Sequence, residues 1–241
     1  SCQFGITLAK KLLNKKHSVI ITTRNTEKAK RKIKFKNRKL KIINLNILKQ
    51  KQIITILQKY KPNFIFYFAG LSSPGLSFKK PREAYLSNYE GCKNFLNIIK
   101  AKKINCKFIN ASSCEIFAKT NERLTVKSKK RPISPYGRAK LLAFKLTKDY
   151  REKSNLLTYN AIIFNTESIY RERFFIIPKI CLAAIGAYKK NIKTFFGDIN
   201  ISREWNWCDE QVKFMLNFID KKPQDFLLSN QKNYYAIEMI K

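Results

Sequence analysis

The sequence predicts an α/β protein built on a doubly wound parallel sheet, and three observations carry that expectation. Short apolar runs rich in β-branched and aromatic residues alternate with longer amphipathic stretches along the chain. The amphipathic stretches are long enough to serve as crossover helices between parallel strands, giving βαβ units. The length of 241 residues and a hydrophobic content of 44% suffice for one substantial core with a small appended lobe.

Residues 5–16 place Ile6, Leu8, Ala9, Leu12 and Leu13 at helical spacing, and 18–23 is a short β-branched run. Residues 49–60 read as a helix that Pro62 ends. NFIFYF at 63–68 reads as a buried strand, 81–102 as a long amphipathic helix, and 106–111 as another strand. A helix over 136–153, prefaced by Pro132 and Pro135, leads to a strand over 157–164. A helix over 174–189, a short strand over 194–196 and a helix over 210–220 complete the pattern. Ligands of such a sheet bind in the crevice beyond the strand C-termini. A dinucleotide-binding sheet normally opens with a strand feeding a glycine-rich turn and then a helix. Here the chain opens on the turn itself: 1–5 has the spacing of the back half of a GxxGxxG loop, with Cys2 at the middle glycine position and Gly5 as the last. The expectation is therefore a Rossmann-like sheet lacking its first strand.

Composition narrows the function classes. An aromatic content of 13% argues against disorder. No apolar run approaches the ~20 residues that span a bilayer, and no basic-then-apolar leader opens the chain. The six cysteines are scattered without a CxxC pair, and His17 is the only histidine. A zinc site needs clustered ligands, and a His-based site or a Ser-His-Asp triad would rest on His17 alone, so no metal is expected, and free thiols fit a reducing cytoplasm. The net charge of +34 has two readings. Nucleic-acid binding is one, with the run at 28–41 its best support. The other is compositional, because lysine is spread over the whole chain together with abundant Asn and Ile.

The chemistry concentrates in one ordered set of motifs. Tyr136-Gly-Arg-Ala-Lys140 is a YxxxK at the start of a helix, a spacing that puts both side chains on one face. A lysine cation favours phenolate, which lets a tyrosine exchange protons nearer neutrality. Upstream, a strand ends in Ala111-Ser-Ser-Cys-Glu115, offering a hydroxyl and a carboxyl at a strand C-terminus. Pro132-Ile-Ser-Pro135 joins the two. Strand, Ser/Glu, proline turn and YxxxK in that order are far more specific than any single piece.

In these blocks taken together, the chain resembles the extended short-chain dehydrogenase/reductases, and among them the GDP-mannose 4,6-dehydratases. The resemblance covers nearly the whole chain, with both ends cut short. It rests on Lys61-Pro62, Ala69-Gly70, Ser77-Phe78, the 112–117 block and Ser134 to Lys140. Phe164-Asn-Thr-Glu-Ser168 resembles the family's FNHES, and 197–205 its GNLDAKRDW. Thr166 stands for the family's His, and Tyr170 and Glu172 interrupt its PRRG stretch.

The resemblance implies a catalytic set of Ser113, Glu115, Tyr136 and Lys140. Tyr136 would deprotonate the sugar C4 hydroxyl, Ser113 would hydrogen-bond the C4 oxygen, and Glu115 would take the C5 proton as water leaves C6. Lys140 would hold the nicotinamide ribose and lower the Tyr136 pKa. Gly5, Arg24, Ala69, Gly70 and Asn88 would join Tyr136 and Lys140 around an NADP cofactor, Arg24 suiting a 2′-phosphate. Asn165, Glu167, Ser168, Lys179 and Arg203 would face the nucleotide sugar. The implied organisation is a cofactor domain over 1–164 and a partial substrate lobe over 165–241. The implied activity is conversion of GDP-mannose to its 4-keto-6-deoxy product with NADP recycled, in the cytoplasm, with room for a homo-oligomer. Three other readings stand beside it: a related nucleotide-sugar dehydratase or epimerase, a dehydratase-like chain that does not catalyse, and a basic nucleic-acid-binding protein.

Overall fold

A computed structural model describes residues 2–118, 120, 122–190, 192–197 and 199–239. Ser1 and Asp198, each part of a motif above, lie outside the described residues. The chain runs α1 (Gln3–Asn14), β1 (Val19–Thr23), α2 (Thr26–Lys32), β2 (Leu40–Asn44), α3 (Gln50–Tyr60) and β3 (Phe64–Tyr67). It continues through α4 (Pro74–Lys79), α5 (Pro81–Tyr85), a π-helical turn at Leu86–Glu90 and α6 (Gly91–Ala101) into β4 (Lys107–Ser113), α7 (Pro135–Ser154) and β5 (Thr158–Ile163). The remainder is β6 (Thr166–Glu167), α8 (Ile176–Lys190), β7 (Ser202–Arg203), β8 (Asn206–Trp207), α9 (Cys208–Ile219), β9 (Asp225–Leu228) and β10 (Tyr234–Tyr235).

β3, β4, β5 and β9 form a parallel sheet in that order. Its apolar runs are near-continuous because both faces are buried. Tyr67 and Phe108 enter one core with Leu57, Phe95 and Leu96, which α3, α6 and α7 cover. Phe66 and Ile109 enter a second core with Phe4, Val212 and Met215, which α1 and α9 cover. Helices on both faces make the sheet doubly wound. β1 and β2 form a separate parallel pair, and among the described residues no strand joins β1 to β3. No described helix is long and apolar enough to cross a membrane.

Four local features depart from the sequence reading. The run at 28–41 is not simply a solvated charge: Ala29 and Ile33 pack with Ile6, and Phe35, Leu40 and Ile42 close that cluster. Interleaved lysines mask the apolar phase of α2 and β2. Three of the exposed cations, Lys36, Arg38 and Lys39, gather with Lys16 beside the N-terminal ends of β1 and β2. The helix expected over 81–102 is divided by the π turn centred on Asn88, a distortion that often marks a functional site. Residues 194–196 form no strand: they pair with nothing described, and Phe195 is 94% exposed. Finally, four-residue β9 completes the sheet where the sequence showed no separate strand.

A buried polar ladder locks the sheet to α7. Asn110 Nδ2 donates to Asn160 Oδ1 at 2.8 Å, and Asn160 Nδ2 donates to Phe144 O at 3.0 Å and to Asp225 Oδ1 at 2.9 Å. Arg151 Nη2 reaches the same Asp225 oxygen at 2.8 Å. Asn160→Ala leaves the Asn110 amide unpartnered and removes a donor from Asp225. At about 1–3 kcal/mol for each buried group so stranded, urea unfolding should show a loss of about 2–4 kcal/mol. A loss below about 0.5 kcal/mol, the level of an ordinary surface change, would show that the ladder does not support the sheet.

Candidate active site

The C-terminal ends of β1, β3, β4 and β5 open onto one cleft of about 1260 Å³. Its floor is set by the first turn of α7. Pro135 occupies the first helical position, and the Ser134 hydroxyl caps the helix by accepting from Gly137 N at 3.0 Å. The buried Ser77 hydroxyl of α4 accepts from Tyr136 N at 3.1 Å. A Cβ on Gly137 would lie 2.5 Å from Glu115 O, so only glycine lets α7 come this close to the end of β4. That approach places Tyr136, 7% exposed, beside Ser113 and Glu115. Ser113 ends β4 and turns its hydroxyl onto Glu115 N at 3.3 Å.

Burial raises the Tyr136 pKa, while the Ser113 hydroxyl and the Arg171 guanidinium pull it back. Lys140 Nζ donates to Ala111 O at 2.7 Å and lies 5.8 Å from the Tyr136 ring centroid. Burial lowers the Lys140 pKa to about 8. Lys140 is thus bonded to the end of β4, and Ser113 and Arg171 are the groups that favour the Tyr136 phenolate here. Gly70 adopts φ 140, and a Cβ there would lie 2.2 Å from Asn88 Oδ1. Asn88 sits behind the cleft wall and donates to Leu71 O at 3.1 Å and Ala84 O at 2.9 Å, pinning the loop after β3.

Other expected residues divide clearly. Arg24, Ala69, Asn165, Glu167 and Arg203 line the cleft. Gly5 lies within α1, whose neighbouring Cys2, Gln3 and Phe4 do the lining. Ser168 is held by a bond to Gln3 at 2.7 Å. Lys179 lies exposed on α8, outside the residues that line the cleft. Arg171 was missed by the sequence reading. Its guanidinium stacks 3.4 Å from the Phe175 ring centroid and faces Glu167 at 3.4 Å, within the same cleft. Only its place between Tyr170 and Glu172 in the interrupted motif could have signalled it.

A sequence profile described as GDP-mannose 4,6 dehydratase matches residues 2–241. The chain belongs to the GDP-mannose 4,6-dehydratase family. GDP-mannose 4,6 dehydratase 1 of Arabidopsis thaliana is 29% identical over 191 residues, covering 76% of this chain and 53% of that protein. The Homo sapiens GDP-mannose 4,6 dehydratase is 27% identical, covering 78% and 52%. The chain therefore spans about half the length of the curated relatives it matches. Two solved structures share the fold. A UDP-N-acetylglucosamine 4-epimerase from Methanobrevibacter ruminantium aligns with a TM-score of 0.86 at 18% identity, covering 99% of this chain and 77% of that one. A dTDP-glucose 4,6-dehydratase from Streptomyces venezuelae, solved with NAD, aligns at 0.84 and 16%, covering 99% and 76%.

The family works with a nicotinamide cofactor, and the cleft has features that suit one. Gly70 lines the cleft, α1 starts at the rim, and the buried Ser112 hydroxyl has no protein partner. At the α1 cap, Cys2 Sγ accepts from Gly5 N at 3.4 Å.

Two predictions follow from this geometry. Gly137→Ala drives a methyl against the Glu115 carbonyl, and overpacking of this kind costs about 1–3 kcal/mol. An unchanged urea midpoint would show that α7 is not held against β4. Burial raises the Glu115 pKa, with the Arg203 charge opposing. A carboxyl whose folded pKa exceeds its unfolded value binds its proton more tightly when folded. It favours the fold below the unfolded value and costs stability as pH rises through the folded value. Glu115→Gln should therefore raise the thermal midpoint at about pH 7.5 and lose that advantage at about pH 4. A lower midpoint at neutral pH would contradict a desolvated carboxylate.

Proposed function

We propose that this chain is the catalytic part of a nucleotide-sugar 4,6-dehydratase acting on GDP-mannose with NADP. The observation that carries the reading is the convergence of Ser113, Glu115 and Tyr136 on one cleft floor in a chain of this family. In this reading, residues 1–164 hold the cofactor and 165–241 the sugar. Lys140 holds the nicotinamide ribose, and Arg24, whose side chain is 71% exposed at the end of β1, meets the 2′-phosphate. Bound there, the cofactor supplies hydride uptake from C4 and its return to C6.

The chain's own residues handle the protons. Tyr136 accepts the C4 hydroxyl proton while Ser113 hydrogen-bonds the oxygen. The C4 ketone acidifies C5; Glu115 takes that proton and gives it to the hydroxyl leaving C6, which departs as water, and a solvent-derived proton is delivered to C5 as the hydride returns to C6. The raised Glu115 pKa suits a group that must take and then give a proton. Arg171 opposes burial at Tyr136 and so favours the phenolate. Asn165, Glu167 and Arg203 face the sugar and its diphosphate. The free thiols of all six cysteines suit a cytoplasmic location.

Tyr136→Phe removes the proton acceptor and keeps the ring. Conversion of GDP-mannose to the 4-keto-6-deoxy product, followed by mass spectrometry, should fall by about 10²–10⁴-fold with NADP affinity retained. Undiminished turnover in the variant would overturn the assignment of Tyr136.

A further inference from the structure

Residues 166–172 touch both of the elements that open the cofactor side of the cleft. Gln3, at the start of α1, donates from Nε2 to Thr166 O at 2.8 Å and accepts from the Ser168 hydroxyl at 2.7 Å. Ser168 also accepts from Tyr170 N at 3.1 Å, which shapes the next turn. Tyr170 then packs on the cluster of Ile6, Ala29 and Ile33, laying the segment onto α2. Glu172 ends the run with an ion pair to Lys32 at the C-terminal end of α2. Lys32 and Glu172 both line the cleft, as do Glu167 and Arg171 on the sugar side. One short segment thus carries sugar-facing groups on one flank and is tied to α1 and α2 on the other.

We infer that this segment is a clasp that couples the cofactor and sugar half-sites, with the Lys32–Glu172 pair as its adjustable tie. The inference rests on the functional reading above. Anything that draws α1 and α2 into place fixes residues 166–172, so the second ligand no longer bears the cost of ordering Glu167 and Arg171. The ion pair is partly open to water, with side-chain exposures of 26% and 46%. Its contribution is modest and screened by salt. Tyr170 and Glu172 are the residues that interrupt the family's motif, so the tie belongs to this chain's own sequence.

The test is a binding cycle on the full chain, with NADPH followed by its fluorescence in the absence and presence of saturating GDP. GDP should tighten NADPH by about three- to tenfold, the low end of usual coupling. Lys32→Ala and Glu172→Ala should each bring that factor close to one. Lys30→Ala, on the same helix but paired with Glu27, should leave it intact. Raising the salt concentration should weaken the coupling in the parent and leave the Lys32→Ala value unchanged. Independent binding of the two ligands in the parent, or full coupling in Lys32→Ala, overturns the clasp alone. Failure of the parent to bind either ligand overturns the functional reading, and the clasp with it.

Discussion

The site depends on how closely the first turn of α7 can approach the end of β4. Gly137 stands where any Cβ would collide with the Glu115 carbonyl. Around it, three hydrogen bonds fix the turn: the Ser134 cap, the Ser77 hydroxyl on Tyr136 N, and Lys140 to Ala111 O. Each group is buried, so each bond is made away from competing water and would be costly to break. The sheet below is held by the Asn110–Asn160–Asp225 ladder, which ties the same helix to β4, β5 and β9. Tyr136, Ser113 and Glu115 are thus positioned by a rigid scaffold and not by mobile loops.

That rigidity has an electrostatic consequence. Burial pushes Tyr136, Glu115 and Glu167 up and Lys140 down, in every case disfavouring the charged form. Titratable groups crowded into a desolvated cleft cost stability, and their retention is understandable where proton transfer is the task. The Ser113 hydroxyl opposes burial at Tyr136 and the Arg203 charge at Glu115, and a further counterweight is Arg171. It faces Glu167, stacks on Phe175 and favours the ionised form of Tyr136.

That Ser113, Glu115, Tyr136 and Lys140 share one cleft was legible in the sequence because the signals are local. Tyr136 and Lys140 are four apart on one helix, Ser113 and Glu115 two apart at a strand end, and the proline turn between them is contiguous. What the sequence hid is non-local or masked. Gln3 meets Ser168 across 165 positions, and Ser77 meets Tyr136 across 59, so no spacing rule connects them. The lysines of 28–41 concealed a core-facing helix and strand, because alternate positions carry the apolar phase. Lys179 was placed at the diphosphate by resemblance alone, and the course of α8 leaves it exposed outside the cleft.

The central claim, that this cleft moves protons for a dehydration with an internally recycled cofactor, is most directly tested in D₂O. Incubation with GDP-mannose and NADP should give a product lighter by one water, carrying solvent deuterium at C5, with no build-up of NADPH. Glu115→Gln should abolish both the water loss and the deuterium. Accumulation of NADPH in step with product, or a product that keeps the substrate's own C5 hydrogen, would overturn that role for the cleft.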